Sequence, residues 1–202
     1  LAKFWDAQKS IFATAILGGL VSSTIVTWAL SGRSRENPSR AREYALGTLL
    51  AIVVMLPRVT ILAFVVNGSF GSHLIYWLAG LAIAGVVPIW ILKSKVHRAS
   101  SSTEQLALGN PFELQEGLRF GVFFVAIIYI VHHAQTLLGE SGLYLATALA
   151  GIADLDAITL SLAQMVPVSL SERAATGAVL LAINVNNLVK LSIALWRGTP
   201  AY

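Results

Sequence analysis

The apolar residues of this chain fall into about six uninterrupted stretches of roughly 20 residues, each long enough as a helix to cross the hydrocarbon core of a bilayer. They run from about Ser10 to Leu30, Tyr44 to Val66, Ser72 to Leu92, Gly117 to Leu138, Gly142 to Val166 and Ser171 to Trp196. In lipid every backbone N–H and C=O must find its partner within the protein, which leaves helices and closed barrels. Stretches of this length predict the first: an all-α, polytopic membrane helix bundle. The charge content agrees, since only 12% of residues are charged against about 25% in soluble domains. The chain holds no cysteine, which excludes disulfide frameworks, thiolate metal sites, iron–sulfur clusters and cysteine nucleophiles.

The formal charge of +4 could suggest nucleic acid, but its placement points to membrane topology instead. Arg33, Arg35, Arg40 and Arg42 lie between the first two stretches, and Lys93, Lys95 and Arg98 between the third and fourth, while Asn67–Ser72 and Gly139–Ser141 carry no basic residue. The positive-inside rule makes the arginine-rich loops cytoplasmic. With six crossings, Leu1 and Tyr202 are then both expected on the outer side, against which Lys3, Lys9 and Arg197 argue mildly. The polar stretch 99–110 is expected to divide one membrane domain, 1–202, into halves of about 1–98 and 111–202. Leu1 in place of an initiating methionine leads to the expectation of a longer or processed chain.

An internal echo appears when LGGLVSSTIVTWAL (Leu17–Leu30) is laid on LAGIADLDAITLSL (Leu149–Leu162), with Gly19 over Gly151 and Thr27 over Thr159. Gly47 then meets Gly177 at nearly the same offset. With three stretches between the copies, this reads as a parallel repeat. In each copy a glycine precedes polar residues inside an apolar stretch: Ser22, Ser23 and Thr24 in the first, Asp154 and Asp156 in the second. Such residues prefer caps to helix interiors, so the first and fifth helices are expected to be broken, each polar cluster capping a second half-helix. Two continuous helices with a glycine packing notch would fit the same residues.

Asp154 and Asp156 are acidic residues at membrane depth, where a charge costs about 2.5–3.5 kcal/mol or more unless paired or hydrated. In a regular helix they would point about 200° apart, and in an unwound segment to one side, where they could share a cation. Hard carboxylate oxygens of this kind suit Mg²⁺ or a similar ion, with Thr159 on the same face of the following half-helix. Equally, one aspartate would cap the helix and the other pair with a base. In the sixth stretch Asn186, Asn187 and Lys190 share a helical face too polar for lipid, and Lys190 is the expected partner of Asp154 or Asp156, as a switch or as an inert clamp. Arg58, after the helix-kinking Pro57, occupies the corresponding region of the first copy.

His132 and His133 are adjacent, about 100° apart on a helix, and make a poor ligand pair; His73 is weaker still. No phosphate loop, zinc-binding histidine pair or nucleophile elbow is present, and no enzyme is expected.

The run GGLVSSTIVTWALSGRSRENP, the arginine of MLPRV, the segment GIADLDAITLSLA and the terminal NVNNLVKLSIAL resemble the uncharacterised C-terminal membrane domain of MgtC/SapB-like bacterial proteins. Its pattern G-[LI]-A-D-[VL]-D-A-[IV]-T is matched by Gly151 through Thr159, G-G-x-x-S-S-T by Gly18, Gly19, Ser22, Ser23 and Thr24, and N-x-x-x-K by Asn186 and Lys190. The resemblance implies a bacterial inner-membrane protein with an N-terminal MgtC-like domain outside this chain. Magnesium enters only indirectly, because the low-magnesium association belongs to that other domain.

The expectation from these residues is cation transport or homeostasis, with magnesium or a coupled proton as the ion and Asp154 and Asp156 as the metal-binding pair. Ser22, Ser23, Thr24, Asn186 and Asn187 would supply neutral oxygens, and Lys190 and Arg58 competing charge. The alternative is a non-enzymatic subunit or regulator of a larger membrane complex. The expected partners are the lipid bilayer and either further copies of the chain or such a complex, and not nucleic acid.

Overall fold

The computed structural model describes residues 7–93, 125, 129, 133, 137, 141–152 and 154–202. All regular structure among them is helical: α1 (Ala7–Glu36), a 3-10 turn (Pro38–Arg40), α2 (Ala41–Val66), α3 (Gly68–Lys93), α4 (Ser141–Ile152), α5 (Leu155–Met165) and α6 (Glu172–Arg197). By length and composition four of these runs could cross a membrane: those of α1, α2, α3 and α6. The polar loop 99–110, His132 and most of the fourth apolar stretch lie outside the described residues. Val125, Tyr129, His133 and Leu137 of that stretch are helical and exposed.

The chain divides into two compact units. The first comprises Leu1–Arg58, Ala79–Gly109 and Lys190–Tyr202, the second Val59–Leu78 and Asn110–Val189.

In the first unit α1 is not one rod. Ser22 leaves the helical region (φ −157°, ψ 104°), and the two arms on either side of it fold back on each other. A Cβ built on Gly47 would lie 3.0 Å from Ile11 Cγ2, in the first arm, and 2.9 Å from Leu30 Cδ1, in the second. In a straight helix those residues would be about 28 Å apart, at about 1.5 Å per residue. Both arms therefore lie against the start of α2, and Ile11, Val26, Leu30, Tyr44 and Ala51 form one buried cluster. The first arm comes to backbone distance of α2 where Gly19 faces Ala51, the small-residue packing that membrane helices use in place of a hydrophobic driving force.

The end of α6 packs in the same unit. Thr48 on α2 hydrogen-bonds the Tyr202 hydroxyl, and further along α2 Met55 Sδ accepts from Lys190 Nζ at 3.2 Å. As numbers rise on α2 they fall on α6, so the two run antiparallel. Thr199 N donates to Ser34 Oγ at 3.1 Å, and Arg35 Nη2 donates to the Trp196 carbonyl at 2.5 Å. The Arg197 guanidinium stacks over Trp28, 4.0 Å from the ring centroid. Tyr202 thus lies at the same end as the arginine-rich turn between α1 and α2. The sequence expectation, which counted six straight crossings, had set the two apart.

At that turn Arg40 Nε and Nη2 both donate to Glu43 Oε2, at 3.0 and 2.9 Å, with both side chains buried. Pro57 lies inside α2.

In the second unit a single residue, Asn67, separates α2 from α3, where a longer loop was expected. Its Oδ1 accepts from Phe70 N at 3.1 Å, capping α3, while its Nδ2 donates to the Val166 carbonyl at 2.7 Å, just past the end of α5. Helix-end carbonyls in an apolar setting need such donors. Ser69 Oγ donates to Glu172 Oε1 at 2.6 Å, so the end of α5 sits by the first turn of α6.

The start of α4 lies there too: a Cβ on Gly177 would be 3.0 Å from the Tyr144 hydroxyl, whereas further along both helices a Cβ on Gly151 would be 2.9 Å from Ala182 Cα. α4 therefore runs parallel to α6 and α5 returns. The fifth apolar stretch is a helical hairpin and not one straight helix; its arms of 12 and 11 residues are each only about 16–18 Å long at about 1.5 Å per residue.

Candidate functional site

At each break an extended residue caps the arm after it. Ser22 Oγ accepts from Ile25 N at 3.3 Å. Asp154 (φ −150°, ψ 123°) accepts on Oδ1 from Asp156 N at 2.7 Å and from Ala157 N at 3.5 Å. A carboxylate at a helix start satisfies orphan N–H groups and meets the positive end of the helix dipole.

The packing around the two breaks also agrees. Gly19 faces Ala51 and Gly151 faces Ala182, each at 2.9 Å from the Cα for an added Cβ. Thr27 Oγ1 donates to the Ser23 carbonyl and Thr159 Oγ1 to the Leu155 carbonyl, both at 2.8 Å, so Thr159 is turned into its own helix.

A break also exposes the carbonyls that end the first arm. At the first tip Arg58 Nη1 donates to the Leu20 and Val21 carbonyls, each at 2.6 Å. At the second, buried Asn186 donates through Nδ2 to the Gly151 carbonyl at 3.0 Å. A long polar side chain from the helix packed against the hairpin does this work in both cases, by a different residue type.

In the first unit the Met55 sulfur accepts from Ser23 Oγ at 3.3 Å as well as from Lys190, while Arg58 meets the backbone just before Ser22. Thr24 is half-buried beside them in sequence. Lys190 is 1% exposed and gives its hydrogen bond to Met55, where the sequence suggested Asp154 or Asp156. Asp154, Asp156, Thr159, Asn186 and Asn187 belong to the second unit, where Asn186 meets the Gly151 carbonyl. Asn187 Oδ1 is buried and has no hydrogen-bond partner among the described residues. Asp154 and Asp156 are both half-buried, and no cluster of three or more His, Cys, Asp or Glu residues that could hold a metal occurs among the described residues. A cation there would rest on two carboxylates with amide, carbonyl or water oxygens, a donor set that magnesium accepts.

Sequence reasoning missed Met55 and the Arg40–Glu43 pair. A methionine in an apolar stretch carries no mark of a polar contact, whereas Arg40 and Glu43, three apart beside a helix start, held a signal in their spacing. His133 bonds through Nδ1 to its own helix, at the Tyr129 carbonyl 3.0 Å away, and His73 is exposed.

No solved structure matches the chain. It is 31% identical over 204 residues, covering 96% of this chain and 85% of the relative, to an "Uncharacterized protein" of Aquifex aeolicus (strain VF5). The model of the family described as "Domain of unknown function (DUF4010)" matches residues 1–198, and the chain belongs to that family.

Proposed function

We propose that this is a membrane transporter that moves or couples to a cation, built from an internal repeat in which a helical hairpin precedes a crossing helix: α1 with α2, and α4–α5 with α6. The observation that carries the reading is the pair of capped breaks at Ser22 and Asp154, in apolar segments, with the same backbone conformation and the same glycine packing. Discontinuous helices at corresponding places in two halves are the arrangement that membrane transporters use to present helix ends to a solute.

In this reading the repeat is inverted, supported by the antiparallel run of α2 and α6 within the first unit, where the alignment suggested a parallel one. In the same reading the hairpins enter the membrane without crossing it, and α2, α3 and α6 cross. This topology puts Arg33, Arg35, Arg40, Arg42, Lys93 and Arg197 on one face, which the positive-inside rule makes cytoplasmic, with Tyr202 among them. A bacterial inner membrane and kinship to MgtC/SapB-like proteins belong to the same proposal and rest on the motif resemblance.

The cation subsite of this reading is Asp154 and Asp156, with the Asn187 oxygen as the buried neutral ligand that lacks a partner among the described residues. Magnesium is the first ion to try, since hard oxygens favour it. Purified protein in proteoliposomes should show uptake of Mg²⁺ or a coupled proton flux that Asp154→Asn and Asp156→Asn abolish. Flux indistinguishable from empty vesicles under gradients of Mg²⁺, Na⁺ and H⁺ sinks the proposal.

The alternative, a subunit of a larger membrane assembly, draws on α3, whose Tyr76, Trp77, Ile83 and Trp90 form a broad exposed apolar surface. Native electrophoresis and mass spectrometry after mild extraction decide it: a stoichiometric heteromeric band favours the subunit, and a lone or homo-oligomeric band favours the transporter.

A further inference from the structure

We propose that the end of the first unit that holds Arg197 binds the phosphate of an anionic phospholipid, with Arg197 and Arg35 as its cationic partners and Trp28 and Trp196 as an aromatic shelf at the membrane–water boundary. The first observation is the condition of Arg197. Its guanidinium stacks over Trp28, 4.0 Å from the ring centroid. Stacking uses the face of a guanidinium and leaves the N–H donors in its plane open. Nε is buried without an acceptor, and the half-buried side chain forms no hydrogen bond or ion pair among the described residues. The Thr199 hydroxyl, two residues on, is also buried without a partner there, while Thr199 N is tied to Ser34 of α1. A Cβ on Gly32 would lie 2.7 Å from Arg197 Nη2, so Arg197 and the Thr199 backbone both lie against the end of α1. Two orphaned polar groups at one place call for a further acceptor.

The second observation is what surrounds that guanidinium. Arg35, exposed near the end of α1, donates to the Trp196 carbonyl at 2.5 Å and reaches the Gly198 carbonyl at 3.5 Å, on either side of Arg197 in the chain. A second guanidinium is thereby held at the same end, and neither arginine has an ion pair with a carboxylate among the described residues. Glu36 follows Arg35 but lies about 100° round the helix from it. Trp28 and Trp196 are both exposed, with ring centroids 5.9 Å apart, and Ile25 on α1 and Leu191 and Leu195 on α6 continue the exposed apolar surface away from the arginines. Tryptophan favours the headgroup level of a bilayer, and arginine forks match phosphate oxygens. Two guanidiniums without carboxylates beside an apolar shelf fit one occupant that has both parts, a phosphate joined to acyl chains. A free phosphate would use only the charged half.

The site rests on α1 and α6 reaching the membrane surface and not on transport, so its test needs no flux. Thermal unfolding of the purified chain in neutral detergent is followed in titrations with dioleoyl phosphatidylglycerol, with dioleoyl phosphatidylcholine as the lipid without net charge, and with sodium phosphate at matched ionic strength as the headgroup without chains. A saturable rise in melting temperature is expected with phosphatidylglycerol and not with phosphatidylcholine. Arg197→Gln should weaken the apparent affinity by about fivefold or more. Gly32→Ala should do the same, since its added carbon meets only the flexible end of Arg197 and leaves the fold in place. Arg42→Gln, at an exposed position at the start of α2, should stay within about twofold of the parent chain. Should Arg197→Gln fail to fold, Gly32→Ala and Arg42→Gln carry the test. The proposal is overturned by no saturable shift with phosphatidylglycerol, by an equal shift with phosphatidylcholine, or by a shift that Arg197→Gln and Gly32→Ala leave unchanged. An equal loss in Arg42→Gln would overturn it in favour of diffuse surface charge, and an Arg197-dependent shift of the same size with sodium phosphate would overturn it in favour of a free anion.

Discussion

Ser22 and Asp154 hold nearly the same extended backbone conformation, and each accepts a hydrogen bond from the N–H three residues on. One is neutral and the other acidic, so the charge of Asp154 is not required for the turn. Asparagine caps helices as well as aspartate, whereas alanine at such a position costs about 0.5–2 kcal/mol. Asp154→Asn should therefore unfold within a few tenths of a kcal/mol of the parent chain, and Asp154→Ala should be destabilised by about 1 kcal/mol, as read by thermal unfolding in detergent. If Asp154→Asn is as damaging as Asp154→Ala, the carboxylate has a structural role beyond capping.

Gly19 and Gly151 are where each hairpin meets its neighbouring helix at backbone distance. An added Cβ would stand 2.9 Å from the Cα of Ala51 or of Ala182, so backbone would have to move. Gly19→Ala and Gly151→Ala should each destabilise by about 1–3 kcal/mol, and Gly80→Ala, where the added carbon meets open space, should not. Comparing the three by thermal unfolding checks this, and equal effects at all three positions would remove the packing argument.

The breaks were legible in the sequence and the folding back was not. A glycine followed by Ser22–Thr24, or by Asp154 and Asp156, marks a cap because those side chains compete for backbone N–H groups. The direction taken after one extended residue is set at a distance, by Gly47 against both Ile11 and Leu30, and by Asn67 against the Val166 carbonyl. An apolar arm of half length looks the same in sequence whether it continues or returns. For that reason the first and fifth stretches read in the sequence as straight helices.

Arg58 closes the carbonyls that the first break leaves open, with two bonds of 2.6 Å. Hydrogen bonds to charged groups contribute about 1.5–3 kcal/mol. Arg58→Met should lower stability by about 1.5–3 kcal/mol, with the loss localised by hydrogen exchange to the residues around Ser22. Uniform loss of protection throughout the chain would instead mean that Arg58 supports the whole bundle.

Tyr202 lies beyond the end of α6, and burial pushes its phenol up to about 12, with the Thr48 hydrogen bond opposing that rise. The unfolded value is near 10, so the folded chain keeps the proton longer. Its contribution to docking of the C-terminal segment is thus fully present below about pH 10 and lost as pH rises towards 12. Tyrosinate absorbance should show one late-titrating phenol that disappears in Tyr202→Phe, a variant whose stability should also fall less steeply over that range. Identical titrations would contradict the buried environment.

The most direct test of the hairpin topology uses the absence of native cysteine, which lets single cysteines be labelled cleanly. Ser141 and Ser169 are both exposed, one at the start of α4 and one after α5. With an impermeant maleimide on intact cells and on inverted vesicles, Ser141→Cys and Ser169→Cys should label from the same side of the membrane. Labelling of Ser141→Cys and Ser169→Cys from opposite sides would make the fifth stretch a crossing helix and contradict the account.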